Sequence, residues 1–241
     1  MNQTLQQITS KNSYKSEFWE ENSNDPKAWE NTLIVKKSCA EYFKRFFPGF
    51  KCFDLGFGRG ASIFVLTKMG FKVDGIEPDS KNFETVSKKL PAGKYYEGYF
   101  GETEINDKYD VIWISHVLEH VERPDILLEK CKKLTKDLAV MCIMVPDCDN
   151  PEMLQNSMSN KHHIWHFTKK SLVLLAQKCG FSVIECKSFA VMKKNRRRFH
   201  KLLRICKLES LSKIIDQCYP FVTTSNSDGY EIRMVLSNKK G

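Results

Sequence analysis

The sequence is short of several things, and each absence narrows what the chain is. No apolar run approaches the roughly 18 residues that a membrane-spanning helix needs. The first thirteen residues, MNQTLQQITSKNS, hold no apolar stretch of the kind a secretory signal uses. A cytoplasmic protein is therefore expected. The nine cysteines contain no Cys-x-x-Cys pair, and the nearest two are Cys142 and Cys148. That argues against zinc-ribbon and dithiol redox spacings. Cys52, Cys142 and Cys186 lie inside apolar runs, so reduced, mostly buried thiols are expected. There is no internal repeat and no low-complexity linker.

What is present is ordinary in amount and uneven in placement. The 241 residues are 41% hydrophobic and 28% charged, enough for one α/β domain with a full core. The net charge is +9. Much of it sits in residues 193–207, KKNRRRFHKLLRICK, which carry eight Lys or Arg and no acid. Interleaved Phe199, Leu202, Leu203 and Ile205 give this tract an amphipathic helical pattern. It suits an anionic membrane surface, an anionic acceptor or nucleic acid, or it is simply a solvated helix.

From residue 50 onward, strand and helix patterns alternate. Strands are expected at 50–54, 71–76, 94–99, 109–114, 138–145, 181–186 and 230–236. Helices are expected at 61–69, 79–89, 124–134 and 168–179. Pro124 suits a first helical turn, Thr168 an N-cap, and Gly180 the position just past a helix. The alternation predicts a doubly wound, mostly parallel sheet with helices on both faces. Residues 1–47 read as a helical segment whose aromatics (Tyr14, Phe18, Trp19, Trp29) either close over a site as a lid or pack on the sheet. Residues 48–241 read as the main domain, with a basic helical insertion at 187–229.

The most specific local feature is Cys52-Phe-Asp54-Leu-Gly56-Phe57-Gly58-Arg-Gly60, a strand, a turn with glycine at every second position, and a helix. Such a turn lets a ligand lie against bare backbone at a helix N-terminus. Two ligands compete for it. Gly56-x-Gly58-x-x-Ala61, with Glu77 about 20 residues on, formally fits a dinucleotide fingerprint. S-adenosylmethionine needs the same backbone approach and an acid for its ribose, and its sulfonium and ammonium also favour an acid at the strand mouth. Asp54 is such an acid, whereas it would tend to repel pyrophosphate.

Five segments in register decide between them by resemblance. FDLGFGRG, VDGIEPD, YDVIWISHVLEHVERP, VMCIMVPD and HHIWHFTKKSLVLLAQKCGFSVIE resemble, in order, the motifs of class I S-adenosylmethionine-dependent methyltransferases of the small-molecule and glycan-modifying type. The resemblance implies a Rossmann-like seven-stranded sheet with an antiparallel last strand. It implies cofactor contacts from Asp54, Gly56, Phe57, Gly58, Gly60, Glu77, Pro78, Tyr99, Phe100, Ser115 and His116. The segment His116-Val-Leu-Glu119-His120 is also similar to that of the ubiquinone-biosynthesis O-methyltransferases. There it implies a divalent ion at positions matching His116, Glu119 and His120, although no resident metal is expected here. The same letters spell a zinc-protease motif, but that motif needs a continuous helix and this one follows a strand directly.

A hydroxyl acceptor must lose a proton as it is methylated, and imidazole is the side chain suited to take it near neutral pH. His116 is the first candidate base, with His163 and His166 as alternatives. No Asn/Asp-Pro-Pro-Tyr/Phe segment follows the fourth strand, which argues against amino-nitrogen acceptors. The expected acceptor is a small hydroxyl compound, with a sugar or a phosphorylated, nucleotide-linked or lipid-linked glycan precursor foremost. Nucleic acid is the runner-up, and peripheral contact with anionic membrane through 193–207 is expected. An NAD-dependent oxidoreductase and a non-catalytic cofactor-binding partner are the competing classes.

Overall fold

A computed structural model describes residues 26–190, 223–224 and 229–238. Tyr14, Phe18, Trp19 and the basic tract 193–207 lie outside the described residues. The strands are β1 (Lys51–Leu55), β2 (Lys72–Glu77), β3 (Tyr95–Glu97), β4 (Tyr109–Ser115), β5 (Thr135–Pro146), β6 (Ser182–Ala190), β7 (Thr223–Thr224) and β8 (Glu231–Ser237). The helices are α1 (Pro26–Phe43), α2 (Ala61–Lys68), α3 (Ser80–Lys89), α4 (Pro124–Lys132), α5 (Pro151–Ser159) and α6 (Lys169–Lys178). No helix among the described residues is long and apolar enough to cross a membrane.

The sheet order is β3-β2-β1-β4-β5-β8-β6-β7. Strands β1 to β5 run parallel, and β8 enters antiparallel between β5 and β6. All seven expected strands are present. The two-residue β7, at the far edge of β6, is an addition that no sequence pattern announced. The central strands are buried on both faces, which explains their nearly continuous apolar runs. Alternate residues feed two cores. Phe53, Ile112, Ile143 and Met234 join Leu128 of α4 and Leu172 of α6 on one side. Cys52, Trp113, Cys142 and Val235 join Phe43 of α1 and Ile63 of α2 on the other.

Local rules set most helix ends. Pro124 opens α4. Thr168 closes a capping box with Ser171 on α6, and Gly180 follows that helix at φ 72°. Helix α5 was not among the expected helices, because PEMLQNSMS has only a weak apolar stripe. Its start was nonetheless marked: Asn150 accepts from the N–H groups of Glu152 and Met153, and Pro151 sits in the first turn. The described cysteines are all free thiols, and six of the seven are buried.

The strand order reverses between β1 and β4, so a crevice opens at their carboxyl ends. Helix α1 lies across it. Its buried stripe (Cys39, Ala40, Phe43) packs on the sheet, with Phe43 edge-on to Trp113 at 5.4 Å. Its remaining inner positions, Trp29, Thr32, Val35 and Lys36 among them, face the crevice.

The glycine turn is braced by β2. A methyl group on Gly75 would stand 2.8 Å from the Asp54 carbonyl and 2.8 Å from the Phe57 ring. Gly75→Ala is expected to destabilise the fold by about 1–3 kcal/mol through this overpacking. Urea unfolding measures it; a change below about 0.5 kcal/mol would show that the turn yields freely.

Candidate active site

A cavity of about 500 Å3 occupies the crevice. The glycine turn forms one end of it, with Gly56, Gly58 and Gly60 at φ 71°, 52° and 80°. A side chain at Gly58 would meet nothing within 4 Å, so the turn presents open backbone to the cavity. Glu77 ends β2 and is almost fully buried. Its Oε2 accepts from Gly58 N–H at 2.7 Å and its Oε1 from Asp79 N–H at 3.1 Å. The carboxylate therefore holds the turn in place while it lines the cavity. Burial raises its pKa to about 7 against the pull of those two N–H donors.

Asp54, at 1% exposure, sits directly behind the turn, and its Oδ2 has no hydrogen-bond partner among the described residues. Burial pushes its pKa to about 7, Lys36 draws it back, and Glu77 adds to the rise. A buried, orphaned carboxylate beside a second raised acid leaves a site that lacks positive charge. Lys36 supplies part of it: this α1 side chain reaches the Ser115 hydroxyl at the end of β4. Lys36, unremarked in the sequence, lies on the same helical stripe as Cys39, Ala40 and Phe43. A lysine on a core-facing stripe was the signal that marked it.

Another part of the cavity wall is histidine-rich. His116 follows β4 in the left-handed region at φ 55°, alone among the described non-glycine residues, with its N–H donated to the Met144 carbonyl. This kink aims the ring between two carboxylates. Nδ1 lies 3.2 Å from Glu119 and Nε2 3.0 Å from Glu231. Desolvation pulls the His116 pKa down, but the bonds to Glu119 and Glu231 outweigh it and lift it to about 9. Glu231 is held well below the usual carboxylate range: burial opposes this, and His116 and Arg233 overcome it. Arg233, fully buried, meets Glu231 Oε1 at 2.7 Å, donates to Ser38 Oγ of α1 and stacks on Phe189. Sequence reasoning missed both β8 charges. The trace was their place on the inward phase of an otherwise apolar strand.

The late histidine loop is tied to the same segment by its backbone. Ile164 and Trp165 donate N–H groups to the Glu119 carbonyl, and the Trp165 indole donates to Val121. His163 thereby comes to the cavity wall, its ring 4.8 Å from that of His120. Desolvation lowers the His163 pKa to about 4, with His120, His116 and His166 adding to the fall against Glu119.

Of the expected contacts, Gly56, Phe57, Gly58, Glu77, Ser115, His116 and His163 line the cavity, together with Glu119 and His120. Gly60 sits behind it as the N-cap of α2, and Asp54 lies beneath the lining. Pro78, Tyr99, Phe100 and His166 do not form its wall. Phe100 is drawn into the core against Phe53 at 6.2 Å, so Asp79 and Asn82 stand on the wall instead. His116, the first candidate base, has both ring nitrogens on carboxylates. For the same reason the set His116, Glu119 and His120 does not suit an ion. The donor atoms that do approach one another, within 4.8 Å, belong to Glu119, His120 and His163.

Comparison with known proteins agrees with this layout. A profile of the Methyltransferase domain family matches residues 29–186. The chain belongs to this family. It is a class I S-adenosylmethionine-dependent methyltransferase by family and fold. It is similar to the ubiquinone biosynthesis O-methyltransferase of Rhodopseudomonas palustris (strain TIE-1), 28% identical over 101 residues. That match covers 39% of this chain and 39% of the relative. The corresponding enzyme of Caulobacter vibrioides is 29% identical over 103 residues, 40% of this chain and 41% of the relative. The methyltransferase thus spans about two-fifths of the length of the curated relatives it matches. A S-adenosylmethionine-dependent methyltransferase structure from Archaeoglobus fulgidus superposes with a TM-score of 0.64 at 16% identity, over 92% of this chain and 99% of that one. The plantazolicin methyltransferase BpumL in complex with S-adenosylhomocysteine gives 0.60 at 12% identity, over 91% of this chain and 89% of that one.

The residues present suit that cofactor: an orphaned acid for positive charge, open glycine backbone, and an acid at the end of β2. Asp54 costs the ligand-free protein stability. Its folded pKa lies above its unfolded one, so the folded state binds more protons between about pH 4 and 7 and stability falls as pH rises through that window. Asp54→Asn is expected to be more stable than wild type by roughly 1–3 kcal/mol at pH 8, with the advantage fading toward pH 4. The same variant should bind S-adenosylmethionine more weakly. Urea unfolding across pH and calorimetry check the two halves.

Proposed function

We propose that this methyltransferase transfers a methyl group from S-adenosylmethionine to a hydroxyl oxygen of a small acceptor. One observation carries the reading. One cavity brings together open glycine backbone, the buried acid Glu77 on its wall with Asp54 beneath it, and a group of imidazoles. The cofactor supplies a methyl carbon already activated by positive sulfur. The chain's own work is to orient, to exclude water and to take up a proton.

Asp54 and the glycine turn face the cationic part of the cofactor, and Glu77 its ribose hydroxyls. Lys36 is the natural partner for a carboxylate on the amino-acid portion. Asp79 and Asn82 supply the polar groups near the base. Helix α1 covers the crevice with Trp29, Val35 and Lys36 and so keeps water from the reacting atoms. The names of the curated relatives support an oxygen acceptor. The late histidine block supports a glycan-type acceptor, a sugar or a phosphorylated, nucleotide-linked or lipid-linked precursor. The sequence of 193–207 suits the anionic part of such a molecule or an anionic membrane surface.

Calorimetry with S-adenosylmethionine and S-adenosylhomocysteine is the first test, and binding of both is expected. Glu77→Ala should weaken both by at least about tenfold, the loss of a good charge-assisted contact. Equal affinity in that variant would remove the ribose role, and tight NAD binding in place of S-adenosylmethionine would overturn the cofactor. Methyl-tritiated cofactor offered with sugar, nucleotide-sugar and phosphorylated acceptors then reads the substrate class. Transfer confined to amine acceptors would refute the hydroxyl reading.

A further inference from the structure

Ser157 has no part in the site as described so far, yet it touches two of its histidines. It lies near the end of α5 and is buried. Its Oγ stands 2.8 Å from Nδ1 of His163 and 2.9 Å from Nδ1 of His166. The Cys148 thiol bears on the same hydroxyl. A serine hydroxyl has one proton to give and lone pairs to receive, so between two imidazole nitrogens it donates to one and accepts from the other. The outer ends of the pair differ. His163 lines the cavity, whereas His166 is exposed. The three groups form a hydrogen-bonded line from the cavity to solvent.

We propose that the Ser157 hydroxyl passes the acceptor's proton from His163 to His166 as the methyl group transfers. This rests on the hydroxyl-acceptor reading above. As the acceptor oxygen bonds to the methyl carbon, the carbon–sulfur bond breaks and its electron pair stays on sulfur. The acceptor O–H proton goes to Nε2 of His163. The Nδ1 proton of His163 moves to Ser157 Oγ, the serine proton moves to Nδ1 of His166, and the Nε2 proton of His166 leaves to water. The line resets by the reverse hops once the cavity refills with water.

Three observations favour this route over His116. Both nitrogens of His116 are held by carboxylates, which leaves no lone pair for a substrate. On His163 only Nδ1 is engaged, and Nε2 has no hydrogen-bond partner among the described residues. Desolvation of the half-buried His163 ring, aided by His120, His116 and His166 against Glu119, makes it a weak store of protons. A weak store works when the proton is handed on at once. Ser157 provides that exit, and the short loop Asn160–His166 holds it, with His163 N–H donated to the Asn160 carbonyl at 3.0 Å.

Two measurements on the full chain test the wire. The first needs no acceptor: 15N NMR of histidine-labelled protein saturated with S-adenosylhomocysteine. It should show Nδ1 protonated and Nε2 bare on His163, with Nδ1 bare on His166. Protonated Nε2 on His163 would overturn the proposal whatever the enzyme methylates. The second uses catechol as a probe acceptor, whose hydroxyls keep their protons at neutral pH. Ser157→Ala should lower kcat about 10- to 100-fold with little change in KM or in S-adenosylhomocysteine affinity. Ser157→Thr should recover most of the loss. A curved proton inventory in mixed H2O and D2O should become linear in Ser157→Ala. His166→Ala, at an exposed position, should lose activity that added imidazole restores. Full activity in Ser157→Ala would sink the idea. So would loss of activity on chelation with recovery on adding zinc, since His163 would then be a ligand. If catechol is left unmethylated, the kinetic arm moves to whichever hydroxyl acceptor the screen above finds, and the tautomers still decide the wire.

Discussion

Two buried carboxylates, with Lys36 the cation that bears on Asp54, set the terms for the rest of this molecule. Asp54 and Glu77 end adjacent parallel strands at the point where the sheet order reverses. Glu77 holds the glycine turn, whereas an apolar residue in place of Asp54 would bury more cheaply. The glycine turn, the reach of Lys36 from α1 and the cavity itself follow once a positively charged, ribose-bearing molecule is admitted as the missing partner. The arrangement is a trade of stability for recognition, of the kind that functional sites make against the rest of a fold.

The second cluster solves the opposite problem. Around His116 the charges are complete: buried Arg233, Glu231 and Glu119 and the more exposed imidazole alternate in sign along a row. The row starts beneath α1, where Arg233 donates to Ser38, and ends under the histidine loop, whose backbone rests on Glu119. It joins β8, α1, the end of β4 and the loop after α5 in one hydrogen-bonded unit. The left-handed backbone of His116 is the strained joint that such a unit can hold in place.

The parts of this design that lie close together in sequence were legible in it. Phe53 to Met69 gave strand, turn and helix because alternation, glycine spacing and helical periodicity change over within a few residues. The strand before His116 and the capping of α6 were readable for the same reason. What escaped came from long-range register. Glu231 meets His116 because β8 slots between β5 and β6 with Glu231 opposite Pro146 and Phe189. No local pattern specifies that pairing. Ser157 sits on a helix too weakly amphipathic to be seen, and its partners come together only when the loop folds back. Phe100 was expected at the ligand but was claimed by the core. An aromatic ring beside a glycine turn gains more from packing on Phe53 than from waiting for an adenine.

The position of β8 also bears on how the protein is made. Strands β5 and β6 are neighbours in chain order, but they are separated in the sheet by a strand that leaves the ribosome after both. Until residues 231–237 emerge, β5 and β6 each present an unpaired edge, a hazard for growing chains. The same insertion delivers Glu231 and Arg233. The last strand to arrive therefore closes the sheet and completes the charge row in one event. A chain stalled short of it would keep two open strand edges and leave His116 without its second carboxylate, so one late event settles both.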